Sequence, residues 1–211
     1  MKKLTGLALF AFALTAALAV QAQTPVAKGY AVGDAVAEFQ VRNIDNQFVN
    51  LANYASQKGV VVVFMANHCP FSKAYEDRLM AIHNKFAAQG YPVLAVQASD
   101  VTIYPEDAYE VVQSRSRERG FVFPYTIDES QSVARAFGAT RTPQAFVLTR
   151  TGTPARGGKF VVQYMGAIDD NPQDAAGVQK RYLDDALVSL TTGRAILTNT
   201  TRPIGCAVKW K

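Results

Sequence analysis

Cys69 stands between an apolar run, VVVVFM at residues 60–65, and a segment of helical periodicity, in the context Asn67-His68-Cys69-Pro70-Phe71-Ser72. A cysteine at a strand-to-helix junction lies where open α/β sheets carry their reactive groups. The unpaired N–H groups of the first helical turn and the helix dipole both favour a thiolate over a thiol. They bring the sulfur below its ordinary pKa of about 8.5. Pro70 fits the first helical position, which needs no N–H donor. A thiolate so placed is a nucleophile toward disulfides and peroxides.

Cys206 is the second cysteine, in a polar tail beyond the last helical pattern. Residues 192–206, fully extended, reach up to about 50 Å, against a domain radius of gyration of about 16 Å. Reach alone makes Cys206 a candidate resolving thiol for Cys69, within its own chain or across to a second one. The other reading is a tail docked elsewhere, with Cys206 a free or buried thiol. Ser72 is either a hydrogen-bond donor to the thiolate or an ordinary helix-start residue. Asn67 is suited to fixing the turn. His68 adds positive potential beside Cys69 if it turns inward, but sequence neighbours point apart, which favours a solvent-facing ring. Arg141 is either a partner for a thiolate or oxyanion, or a surface arginine. Tyr104 to Asp107 read equally as the mouth of a site and as a helix N-terminus. His68, Cys69 and His83 lack the paired spacing of metal ligands. With no glycine-rich phosphate loop either, neither a metal nor a cofactor is expected.

The elements that must position Cys69 follow from the pattern on both sides. Residues 38–41 and 48–51 predict a short hairpin around Asp45-Asn46. The run at 60–65 predicts a central strand buried on both faces. Over 71–89, Tyr75, Leu79, Ile82 and Phe86 fall on one helical face, and Gly90 stops the helix. Residues 93–96 predict a second buried strand. Pro105-Glu106-Asp107 opens another helix, with its acids in the first turn. Residues 121–127 are partly extended, and 130–137 form a short helix closed by Gly138. Strands at 145–149 and 159–165 flank a turn at Thr151-Gly152. A last helix is expected over 175–190, with Val178, Tyr182, Leu187 and Leu190 facing inward. The order is α/β, with a mostly parallel sheet centre.

Composition limits the function classes. Of 211 residues, 49% are apolar and 18% charged, which is a globular profile rather than a disordered one. The formal charge of +5 includes Lys2 and Lys3, so the rest of the chain is too weakly basic to imply a nucleic-acid partner. Lys2 and Lys3, the apolar stretch 4–20 and the small residues of Val20-Gln21-Ala22 read as a signal peptide cleaved before Gln23. That stretch is at the short limit for spanning a bilayer. No membrane anchor is then expected after cleavage, and the location is periplasmic or secreted. Two cysteines are too few for a disulfide scaffold, so in an oxidising compartment they call for a specific role.

FMANHCPFSKAYEDRL at 64–79, YPED at 104–107, FPYTIDESQSVARAFGATRTPQAFV at 123–147 and the tail IGCAVKWK at 204–211 together resemble the thioredoxin-like redoxins. Within these, the chain is similar to the alkyl hydroperoxide reductase/thiol-specific antioxidant, peroxiredoxin-like branch. The resemblance spans nearly all of residues 23–211. It implies a thioredoxin-like α/β fold: a central mixed sheet flanked by helices, with an N-terminal hairpin and a C-terminal tail. The domains are then a leader at 1–22, a redoxin domain at 23–191 and a tail at 192–211. The resemblance also implies that Thr142-Pro143 is the cis-proline site, packed against Cys69. Two positions depart from the pattern. Cys69-Pro70-Phe71-Ser72 reads CxxS where thioredoxins carry CxxC, and Val62 and Ala66 replace the proline and threonine of the peroxiredoxin PxxxTxxC motif. The leading expectation is an exported thiol–disulfide oxidoreductase using the Cys69 thiolate. Its partner is a thiol or disulfide protein or a small thiol. The alternatives are a thiol peroxidase acting on peroxides and a non-enzymatic binding module of the same fold.

Overall fold

The apolar run becomes the centre of a sheet. In the computed structural model, which describes residues 29–152 and 158–211, the strands in chain order are β1 (Ala35–Val36), β2 (Gln40–Asn43), β3 (Phe48–Asn50), β4 (Gly59–Met65), β5 (Val93–Gln97), β6 (Tyr125–Ile127), β7 (Arg141–Thr142), β8 (Gln144–Arg150), β9 (Phe160–Gly166) and β10 (Cys206–Ala207). The helices are α1 (Pro70–Phe86), α2 (Tyr109–Arg119), α3 (Ser132–Phe137) and α4 (Tyr182–Thr191). Eight strands form one mixed sheet in the order β1-β9-β8-β4-β5-β6-β2-β3. Its centre, β4-β5-β6, is parallel, while β8 and β9 on one side and the β2–β3 hairpin on the other are antiparallel.

Every residue of β4 is buried, because each face of the sheet carries a helix layer. The side chains alternate between the layers, as the strand period of two requires. Val61, Val63 and Met65 pack with Tyr75, Leu79, Ile82 and Phe86 of α1, Val112 of α2 and Leu183 and Leu187 of α4. Val60, Val62 and Phe64 face Val133, Ala134 and Phe137 of α3. The predicted inner stripe of α1 is therefore the observed one. Gly90 ends that segment with φ of +95°.

Two expected helices come out differently. The last one begins at Tyr182 rather than 175, which leaves Val178 outside it. Side chains hold the preceding stretch in turns: Asn171 Oδ1 accepts the Gln173 and Asp174 N–H groups, and Asp170 Oδ1 accepts that of Gln179. Such local bonds compete with helical ones. Pro105-Glu106-Asp107 forms only a single 3₁₀ turn, and α2 starts after the extended Ala108. Residues 1–22, read as a leader, lie outside the described residues.

Candidate active site

Strand β4 ends at Met65, and the three residues after Ala66 lead into α1. Cys69 caps that helix with extended dihedrals, φ −82° and ψ 117°, and Pro70 takes the first helical position. The sulfur thus meets the backbone N–H of Ser72 in the first turn. Opposite lies the Thr142-Pro143 peptide bond, which is cis. Cys69 Sγ–H donates to the Thr142 carbonyl at 3.0 Å, and Cys69 is wholly buried.

The tail returns to this end of the sheet. It leaves α4 and fastens on the end of β9, where Thr201 N–H donates to Met165 O at 3.0 Å and Thr201 Oγ1 accepts Ala167 N–H at 2.9 Å. It then pairs as β10 with β7, antiparallel, placing Cys206 opposite Thr142. Gly205 is required there, since a Cβ at that position would sit 2.1 Å from Thr142 O. Beyond Cys206, Val208 N–H donates to Thr140 O, and Asp100 N–H donates to Lys209 O at 2.9 Å.

Cys206 and Cys69 are both free thiols, and each shifts the titration of the other. Their protons are held unequally. Burial pushes the Cys69 thiol up. The Cys206 S–H, the backbone N–H groups of Ser72 and Cys206 and the Thr142 hydroxyl outweigh it, so Cys69 falls below its ordinary range. The Thr142 hydroxyl is buried and makes no hydrogen bond of ordinary length and angle. The Cys206 thiol is pushed up to about 12, first by burial, then by donating to Cys69 and by the charge of its thiolate. Lys209 and Arg141 oppose that rise. Cys69 therefore gives up its proton more readily than Cys206, the order that two-step thiol–disulfide exchange needs.

The loop before Cys69 is fixed by a carboxylate. Asp107, fully buried, accepts the N–H groups of Asn67 and His68 on Oδ1 at 2.6 and 3.1 Å and the His68 ring nitrogen Nδ1 on Oδ2 at 2.5 Å. The His68 ring stacks on Tyr104 with 3.8 Å between centroids, and Lys209 Nζ lies 6.0 Å from the same tyrosine ring. Asn67 bridges outward: Nδ2 donates to Glu106 O, and Oδ1 accepts from Tyr125 Oη.

Several sequence expectations change here. His68 does not face solvent: its side chain is only 7% exposed, because Asp107 and Tyr104 draw it inward. The Ser72 hydroxyl is committed to accepting Ala66 N–H at 3.2 Å, and its backbone N–H faces the sulfur instead. Arg141 is exposed and reaches Gly205 O at 3.4 Å, so its charge acts on Cys206 from the tail side. His83 sits near the far end of α1, where Nδ1 accepts Val93 N–H. Gln131, which holds the tail, is absent from the sequence reading of the site, and Asp107 enters that reading only within 104–107, as a site mouth or a helix N-terminus. Neither reading gives Asp107 the role it has, as the acceptor for the Asn67 and His68 N–H groups.

A mixed sheet with a cysteine at its central strand-to-helix junction and a cis-proline against the sulfur defines a thioredoxin-like, thiol-based redox protein. Residues 32–169 match the AhpC/TSA family, and the chain belongs to that family. The matched span contains Cys69, Asp107, Thr142 and Pro143 but ends before Cys206. No curated protein matches the sequence. Among solved structures, a hypothetical protein from Sinorhizobium meliloti 1021 is similar at 29% identity and a TM-score of 0.76, covering 87% of this chain and 97% of that one. An uncharacterized conserved protein from Geobacillus kaustophilus gives 31% identity and 0.76, covering 86% and 93%. Peroxidoxin BcpB from Mycobacterium tuberculosis, at 19% identity and 0.54 over 78% and 98%, shares the fold. Among the described residues no helix is long and apolar enough to cross a membrane.

Proposed function

We propose that the protein is an exported thiol–disulfide oxidoreductase in which Cys69 is the nucleophile and Cys206 the resolving thiol. The observation that carries this reading is the pairing of β10 with β7, which sets Cys206 opposite Thr142, the residue whose carbonyl accepts from Cys69 Sγ. The missing second cysteine of CxxC is supplied from the other side of the sulfur, 137 positions along the chain instead of three. The Cys69 thiolate attacks one sulfur of a substrate disulfide. The S–S bond breaks, one substrate thiolate leaves, and a mixed disulfide forms. Cys206 gives its proton to that thiolate and attacks Cys69 Sγ, and the second substrate sulfur leaves as a thiolate that takes its proton from water. The substrate is reduced by two electrons, and the Cys69–Cys206 pair is oxidised by two. A partner thiol protein or small thiol returns the pair to the reduced state. Export rests on the leader at 1–22, so protein recovered from the cell envelope should begin at Gln23.

One observation favours a second reading, reduction of small peroxides. With the tail docked, Cys69 is closed off from solvent, which suits an oxidant the size of a peroxide better than a folded protein. The thiolate then takes one peroxide oxygen to become a sulfenic acid and releases an alcohol or water. Cys206 condenses with it, losing water and giving the same disulfide. The test uses Cys206→Ser and Cys69→Ser. With a protein disulfide substrate, Cys206→Ser should arrest as a mixed disulfide on Cys69, and Cys69→Ser should give none. A mixed disulfide formed on Cys206 in the Cys69→Ser protein overturns the assignment. Peroxide consumption at a higher kcat/KM than disulfide reduction decides for the second reading.

A further inference from the structure

Gln131 is a buried side chain whose hydrogen bonds serve the tail rather than its own helix. It precedes α3 in the left-handed region, with φ of +60°, and is 1% exposed. Its Nε2 donates to Ala98 O, just past the end of β5, and to Lys209 O, both at 2.7 Å. Its Oε1 accepts Lys211 N–H at 2.8 Å. One amide therefore ties two tail carbonyl and N–H groups to the rigid end of the central sheet. Around it the tail gains Val208, which is buried, and Trp210, whose ring lies under the Arg135 guanidinium at 4.5 Å. Thr201 anchors the tail on one side of Cys206, and Gln131 anchors it on the other. Between the anchors, β10 has only two paired residues. So short a ladder depends on what holds its ends.

We propose that residues 204–211 form a latched strap, with Gln131 and Gly205 as the positioning residues that hold Cys206 on Cys69 and close Cys69 to solvent. Gln131 fixes the far end, and Gly205 permits the close backbone approach at Thr142. The strap gives one contact two effects of opposite sign. Docked, it shields Cys69 from an incoming reagent, which must wait for the strap to lift. Once Cys69 carries an adduct, the latch brings Cys206 back to resolve it. Loosening the latch should speed the first step and slow the second. A mutation that merely softened the fold would speed the first step with no reason to slow the second. The inference rests on the role proposed for Cys206, and the test separates the two.

The test follows reduced protein mixed with excess oxidised glutathione, quenched over time and resolved by intact mass. The first step forms the Cys69–glutathione disulfide and releases one glutathione thiolate. The second forms Cys69–Cys206 and releases the other. Gln131→Met keeps the side-chain volume and removes both bonds to the tail. At the usual worth of such bonds this shifts docking roughly tenfold. The first step should quicken and the second slow, each by about that factor, so the mixed disulfide accumulates. Gly205→Ala perturbs the same strap from the Thr142 side and should act in the same direction, which covers the case of either variant failing to fold. Unchanged first-step rates in both folded variants overturn the strap. A quickened first step without a slowed second overturns its positioning role. If the wild-type protein stops at the mixed disulfide while the variants still form it faster, the shielding half stands and the resolving role of Cys206 falls.

Discussion

Replacing Asp107 with alanine should unfold the protein more readily than any surface change, and the size of the effect follows from what the carboxylate holds. Three donors converge on it from the loop before Cys69: the backbone N–H groups of Asn67 and His68 and the His68 ring Nδ1. The carboxylate is fully buried, and the His68 side chain is nearly so. Asp107→Ala leaves these donors buried without an acceptor, at about 1–3 kcal/mol each if nothing relaxes. Water entering the vacated space recovers part of that, so a net loss of about 3–5 kcal/mol is expected, as for other buried pairs stripped of one partner. With a urea dependence of about 2 kcal/mol per molar, the unfolding midpoint falls by about 2 M, and its slope stays unchanged. Asp107→Asn should cost less, about 1–2 kcal/mol, because its amide oxygen still accepts the two backbone N–H groups. The assay is equilibrium urea unfolding of the three proteins, all reduced. A loss below about 1 kcal/mol for Asp107→Ala would refute the reasoning. So would Asp107→Asn proving the more damaging of the two.

The thiols and the serine supply further expectations. Alkylation of Cys69 should rise with pH through a midpoint below the ordinary thiol value, and Cys206→Ala should move that midpoint up by removing an S–H donor; stopped-flow alkylation checks both. Between that lowered midpoint and the ordinary thiol value of about 8.5, the folded chain sheds a proton that the unfolded chain keeps. Stability should therefore rise with pH across that window, and Cys69→Ala should remove the rise. Ser72→Ala should cost about 1–2 kcal/mol in urea unfolding, because Ala66 N–H loses its acceptor. It should leave the Cys69 midpoint in place, since the backbone N–H of residue 72 remains. An upward shift would return the hydroxyl to the sulfur.

Much of the frame was legible in the sequence because its signals are local. The β-branched run at 60–65 admits little but a buried strand, and the 75-79-82-86 stripe fits only one face of a helix. The strand-to-helix position of Cys69 follows from those two segments alone, and its neighbour Thr142-Pro143 was placed through the family resemblance. What was not legible depends on where the chain returns. Asp107 reads equally as part of a site mouth or as a helix-dipole acid, because nothing near it in sequence reveals the two N–H groups 39 and 40 positions earlier. His68 was read outward for the same reason. The length of the tail allowed Cys206 to reach Cys69, but the register that places it opposite Thr142 comes from Gly205 and the two flanking anchors. The last helix was overdrawn because Val178 fits its stripe, while the Asp170 and Asn171 side chains hold 170–179 in turns.

The central claim is that Cys69 and Cys206 of one chain form a redox pair. It is tested most directly by treating the reduced full-length protein with one equivalent of oxidised glutathione and mapping its peptides without reduction. The account predicts a monomeric product in which a single Cys69–Cys206 cross-linked peptide replaces both free thiols. A product in which Cys69 keeps the glutathione while Cys206 remains reduced would contradict it.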